Sequence, residues 1–141
     1  MSVNRALGCS IIVLAMLCGC KGPWAAKHYA APEMAKERTF PVVVMDDKLK
    51  KDIKIVQHKA EATADGRMRV YCEIESRSGH RRVIQVQTVF RDERDVVVEE
   101  STWEHVVLDR YTVKSYQVES LSNKAKRYTI RIKLSTETKP K

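Results

Sequence analysis

Strand-like alternation, turn signals at near-regular spacing and an almost complete lack of helical periodicity predict an all-β protein. The expected architecture is an immunoglobulin-like antiparallel β-sandwich of about seven to eight short strands. The clearest alternation lies at residues 68–75, where Met68, Val70, Cys72 and Ile74 share one face and Arg69, Tyr71, Glu73 and Glu75 the other. Successive strand side chains point to opposite faces, so this pattern buries one side and wets the other. Turn chemistry recurs at Asp65-Gly66, at Ser78-Gly79 and across residues 92–95.

Taken in order, residues 41–45 form an apolar run that reads as a first strand, placed at a sheet edge by Pro41. Residues 46–52 are a charged turn with Leu49 as its single apolar anchor, and residues 53–63 a second strand. Asp65-Gly66 supplies the positive φ angles of a tight primed hairpin turn into the third strand. After Ser78-Gly79, residues 83–91 return with Ile84, Val86, Thr88 and Phe90 inward. Val96, Val97 and Val98 make a short strand, a loop carries Trp103, and residues 105–108 make another short strand. Residues 111–119 form a longer strand whose inward face the pattern leaves open. A turn over 120–126 leads to the closing strand, with Tyr128, Ile130, Ile132 and Leu134 inward. If every short strand reverses direction, the connections at 46–52, 77–82, 99–104 and 120–126 gather at one end. Those at 65–66, 92–95 and 109–110 then gather at the other, where the preceding tether enters.

In this order of parts, residues 42–134 resemble the YcfL-like family of bacterial periplasmic lipoproteins. The resemblance rests on the early valine run with Leu49 and on the strand and polar turn from Val70 to Gly79. It continues through Phe90-Arg91-Asp92, Trp103, Val106-Val107-Leu108 and the late Lys124-Ala125-Lys126. This chain has Ser76 and Asp95 where that family tends to have an asparagine and a glycine. The resemblance implies an immunoglobulin-like sandwich and an exported location, and it brings no catalytic residues.

The amino terminus agrees with export. Arg5 charges a short n-region, and residues 7–17 are an apolar stretch too short for the roughly 20 residues that span a bilayer. Leu17-Cys18-Gly19-Cys20 reads as a lipobox: branched Leu17 sits three residues before Cys20, with small Gly19 directly before it. Cys18 is preceded by bulky Leu17, and Cys9 lies early in the signal. Cys20 is therefore the expected lipidation site, carrying diacylglycerol and an N-acyl chain, with Leu17, Cys18 and Gly19 as the signal-peptidase motif. The expected division is a signal peptide at 1–19, a lipidated tether at 20–39, the sandwich at 40–135 and a frayed tail at 136–141. Pro23, Pro32 and several alanines mark the tether, with Trp24 and Tyr29 able to rest in the lipid interface. Twenty extended residues reach about 65 Å. Lys21, rather than an aspartate, favours sorting to the outer membrane, facing the periplasm.

Cleavage before Cys20 leaves 122 of 141 residues, with 25 basic against 18 acidic side chains. In an exported protein this excess points away from nucleic acid and towards anionic lipid, cell-wall carboxylates or an acidic protein face. Acylation of Cys20 leaves Cys72 as the one free thiol of the mature chain, so no intrachain disulfide can form. Its place in the alternation makes it a core residue. His28, His58, His80 and His105 stand at no metal-ligand spacing, and no nucleophile elbow, phosphate loop or H-E-x-x-H is present. The expectation is a non-enzymatic envelope protein without cofactor or metal, anchored by lipid. It would act as a binding or scaffolding module for a periplasmic complex of the cell wall, secretion or motility machinery. The alternative is a carrier or sensor of a small ligand or metal, held between the sheets or by Cys72 and a histidine. Arg77, Arg81, Arg82, Trp103, Lys124, Lys126 and Arg127 are the candidate partner surface. Read structurally, the same basic turns are merely solvated, and Trp103 plugs the sandwich end or covers a sheet edge.

Overall fold

The computed structural model describes residues 36–136. The expected all-β sandwich is present, as two sheets built from eight strands. The strands are β1 (Val42–Val44), β2 (Ile53–Ala62), β3 (Met68–Ser76), β4 (Arg82–Arg91), β5 (Val97–Glu100), β6 (Glu104–Leu108), β7 (Val113–Glu119) and β8 (Arg127–Leu134). One sheet runs β1-β8-β4, with β5 and β6 both on the far side of β4; the other runs β2-β3-β7. All pairings are antiparallel except β1 with β8.

The core lies where the alternating faces meet. Val70, Cys72 and Ile74 of β3 oppose Ile84, Val86 and Phe90 of β4 and Ile130 and Ile132 of β8, all essentially sealed from solvent. β7, whose face the sequence leaves open, turns Tyr116 inward, where its hydroxyl lies 3.2 Å from Thr88 Oγ1. Residues 46–52 are more than a turn. Asp47–Asp52 is a short helix, α1, because Leu49 must reach the core and a single helical turn delivers it while leaving the lysines wet.

The β2–β3 hairpin differs from the expected primed turn. Gly66 alone has positive φ, at 80°, and Gly66 N donates to Thr63 O at 2.9 Å. A turn over Ala64 and Asp65 followed by a left-handed glycine is the three-residue alternative, and it twists the strands just as well. Asp95, with φ 64°, takes the left-handed place at the β4–β5 turn, where its short polar side chain tolerates it.

The second correction concerns β5 and β6. They do not reverse on one another but lie in line along one edge of β4, with Val89 opposite Glu100 and Val86 opposite Glu104. Between these pairs, Ser101, Thr102 and Trp103 face only Gln87 and Thr88, which makes a bulge. Ser101 keeps the ladder closed: its N–H donates to Thr88 O and its Oγ accepts from Thr88 N, both at 2.9 Å. The 99–104 connection is thus a mid-strand bulge, and every reversal after it shifts by one.

The expected gathering of turns is overturned accordingly. One end of the sandwich carries α1 with the connections 77–81 and 109–112. The other carries 63–67, 92–96 and 120–126. Ser78-Gly79 and Lys124-Ala125 are at opposite ends. Nor does the preceding chain simply join at an end. Residues 36–39 are helical and lie against the outer face of the β1-β8-β4 sheet, before Phe40 and Pro41 lead into β1.

That outer face explains why both sides of β4 are buried. Glu37 accepts from Arg131 Nε and Nη2, both at 2.7 Å, and from Arg91 Nη2 at 3.2 Å; its carbonyl accepts from Thr129 Oγ1 at 2.7 Å. Arg131 reaches on to Gln87 and Glu100. The last turn of the stretch read as tether is therefore fastened to the domain by a nearly buried carboxylate.

Candidate functional site

The α1 end brings together chemistry that the sequence distributes over three separate connections. Gly79 and Tyr111 place the 77–81 and 109–112 loops side by side: a Cβ on Gly79 would stand 3.3 Å from the Tyr111 hydroxyl. Tyr111 is 73% exposed and holds φ at 52°. A bulky side chain in the left-handed region carries a cost of order 1–3 kcal/mol, which the surrounding loop must impose. The loop does so through two bonds that close it: Thr112 Oγ1 donates to Asp109 O at 3.0 Å, and Ser76 N donates to Thr112 O at 2.8 Å.

Around Tyr111 the charges are unequal. Four acids of this end are engaged: Asp46 accepts from Leu134 N at 2.7 Å, Asp47 pairs with Lys50 at 2.6 Å, Asp52 with Arg82 at 2.9 Å, and Asp109 faces Arg81 at 3.7 Å. Glu75, near the end of β3, carries no ion pair among the described residues. Lys48, Arg77 and Arg110 are exposed and carry no ion pair among the described residues. The long Arg81–Asp109 contact leaves Arg81 only weakly held. The result is a tip rich in basic side chains with one exposed aromatic ring on a backbone-bonded loop.

The other expected surface residues scatter. Arg77 and Arg81 are at this tip, and Arg82 points towards the sandwich interior, paired to Asp52. Lys124, Lys126 and Arg127 are at the opposite end, where Arg127 faces Asp95 at 3.9 Å. Trp103, in the β5–β6 bulge, neither plugs an end nor stands free: it is half-buried along the β4 edge, with Lys133 Nζ 4.0 Å from its ring centroid. That geometry is a cation–π contact. Arg110 and Tyr111 were not singled out by sequence reasoning. Their only signal is a bulky residue within a tight turn between two strands.

Cys72 is buried, and desolvation pushes its thiol up to about 12, with the charge of Glu73 adding to the shift. His58, opposite Cys72 in register, instead bonds the Tyr128 hydroxyl at 2.8 Å. His105 lies 2.9 Å from the Gln85 amide. Among the described residues no group of three or more His, Cys, Asp or Glu is placed to hold a metal ion, and no helix is long and apolar enough to cross a membrane. Cys20 with Leu17, Cys18 and Gly19, and also His28, lie outside the described residues.

No family model matches the chain, and no curated protein matches it. Two solved structures are similar. Campylobacter jejuni cj0090 is 12% identical, with a TM-score of 0.58, over 67% of this chain and 98% of that one. A DUF1425 family member from Shewanella sp. PV-4 is 18% identical, with a TM-score of 0.54, over 61% of this chain and 81% of that one. At such identities the likeness establishes the fold.

Proposed function

We propose that this chain is a lipid-anchored, non-enzymatic binding module of the cell envelope, of the YcfL-like kind. It would be acylated on Cys20 and held at the periplasmic face of the outer membrane, with its α1 end docking on an acidic face of an envelope protein complex. The observation that carries this reading is an exposed Tyr111 preceded by Arg110 and lying beside the 77–81 loop, in which Arg77 carries no ion pair among the described residues and Arg81 is held only weakly by Asp109. Aromatic and arginine side chains are the residue types that dominate interface energetics. The inner faces pack on each other around Phe90, Ile130 and Ile132, which favours docking over enclosing a ligand.

Two experiments test the proposal. Cys20→Ser should leave an unprocessed precursor without incorporated palmitate; normal maturation and labelling would remove the anchor. Reversing Arg77, Arg81 and Arg110 to glutamate should lower partner capture from crosslinked envelopes by tenfold or more, with thermal stability unchanged. Each reversal turns a rim attraction into a repulsion, at roughly 0.5–1 kcal/mol apiece. The matching reversal of Lys124 and Lys126 should leave capture intact. Equal loss from both sets would place the surface elsewhere.

A further inference from the structure

From the free edge of β2 we infer that this chain pairs with a second copy of itself, β2 against β2, in one defined antiparallel register centred on Ala60. Among the described residues β2 pairs only with β3, and residues 56–62 are exposed without interruption. A long unpaired edge of this kind is a template for another strand, and proteins ordinarily blunt it. The first half of β2 is blunted, by Lys54 and by the bulge between Ile55 and Gln57. The second half has no bulge, and its charges, Lys59 and Glu61, are of opposite sign.

The bonding phase of that second half is fixed by the hairpin. Thr63 N donates to Arg67 O, so Thr63 and Arg67 form a hydrogen-bonded pair. Such pairs alternate along an antiparallel ladder, which makes Glu61–Arg69 and Lys59–Tyr71 bonded pairs as well. The pairs between them, Ala62–Met68, Ala60–Val70 and His58–Cys72, are non-bonded. The backbone N–H and C=O groups of His58, Ala60 and Ala62 therefore point away from β3, towards the open edge. A partner strand must set its own outward residues against these.

That requirement leaves few two-fold registers, and charge separates them. Centring on Lys59 sets lysine against lysine, and centring on Glu61 sets glutamate against glutamate. Centring on His58 sets Lys59 against Gln57. Centring on Ala60 sets Lys59 of each copy against Glu61 of the other, twice, in the non-bonded positions where side chains approach most closely. Within one copy Lys59 and Glu61 already join at 2.6 Å, so both charges lie on one face and need only exchange partners. Ala60 on the axis and Ala62 beside it offer no bulk against the approach. The two-fold is closed, so the product is a dimer in which the two three-stranded sheets become one.

The full chain in detergent micelles tests this. On mild oxidation Ala60→Cys should give a disulfide-linked dimer above the wild-type background. Its mate across the axis would stand about 5.5 Å away between Cα atoms, inside the range a disulfide spans. Ala62→Cys, which faces His58 of the other copy, should stay at background. Adding Glu61→Lys to Ala60→Cys should lower the dimer yield about tenfold, and adding Lys59→Glu as well should restore it. Ala60→Pro, which removes an outward N–H and no β2–β3 bond, should sediment as monomer with its circular dichroism unchanged. Dimer yield from Ala60→Cys no greater than wild type, or a yield indifferent to Glu61→Lys, overturns the inference, as does sedimentation of open-ended larger species.

Discussion

Cys72 illustrates what a single position in an alternating strand determines. Its thiol is pushed up to about 12, chiefly by desolvation, so it is protonated at every physiological pH and reaches no solvent. A thiol reagent at pH 8 should leave it unlabelled until the protein unfolds, and fast labelling of the native state would contradict its core role. Cys72→Ala should cost roughly 1 kcal/mol, since little volume is lost. Tyr111 behaves oppositely. Tyr111→Gly removes the left-handed cost and should leave thermal stability unchanged or raise it by about 1 kcal/mol, while lowering partner capture. A drop in stability would mean the ring is there to pack. Alternation made Cys72 legible from the sequence. Glu37 was not legible, because an isolated carboxylate in a polar stretch has no periodicity; only the fold brings Arg91 and Arg131 to it. Glu37→Ala leaves two nearly buried guanidinium groups short of their anion and should cost about 3 kcal/mol, measured by urea denaturation.

At the scale of elements, the Asp65 turn gives a pH prediction. The Thr63 hydroxyl and then the Arg67 guanidinium, 2.5 Å from Oδ2, hold the Asp65 carboxyl down at about 2, against 3.8 normally. The folded state thus favours the ionised form. The resulting stabilisation is complete above about pH 4 and fades as the pH falls towards 2. Asp65→Asn should lose that stabilisation at neutral pH and flatten the profile between about pH 4 and 2, so that variant and wild type converge in acid; an unchanged acid profile would mean the turn bonds do not persist in solution. Strand positions and inward faces followed from period-two patterning, as at β3, β4 and β8. The β5–β6 bulge did not, because Ser101 replaces a ladder residue through side-chain and backbone bonds to Thr88 that no hydrophobic pattern records. That one unseen bulge was enough to move every later turn to the opposite end.

For the whole molecule, composition revealed a surplus of positive charge but not its address. Ion pairing narrows it: Asp95 gathers Arg38 and Arg127, and Glu119 holds Arg67 and Arg69. Among the described residues Lys48, Arg77 and Arg110 at the α1 end and Arg94, Lys124 and Lys126 at the other carry no ion pair, so the exposed Tyr111 is what sets the α1 end apart. Placing a photo-crosslinking amino acid at Tyr111, in cells expressing the full chain, tests whether that end meets the partner. The expected result is a discrete ultraviolet-dependent adduct from position 111 that disappears when Arg77 and Arg110 are reversed to glutamate, with none from position 124. An adduct from position 124 and none from 111 would contradict the account.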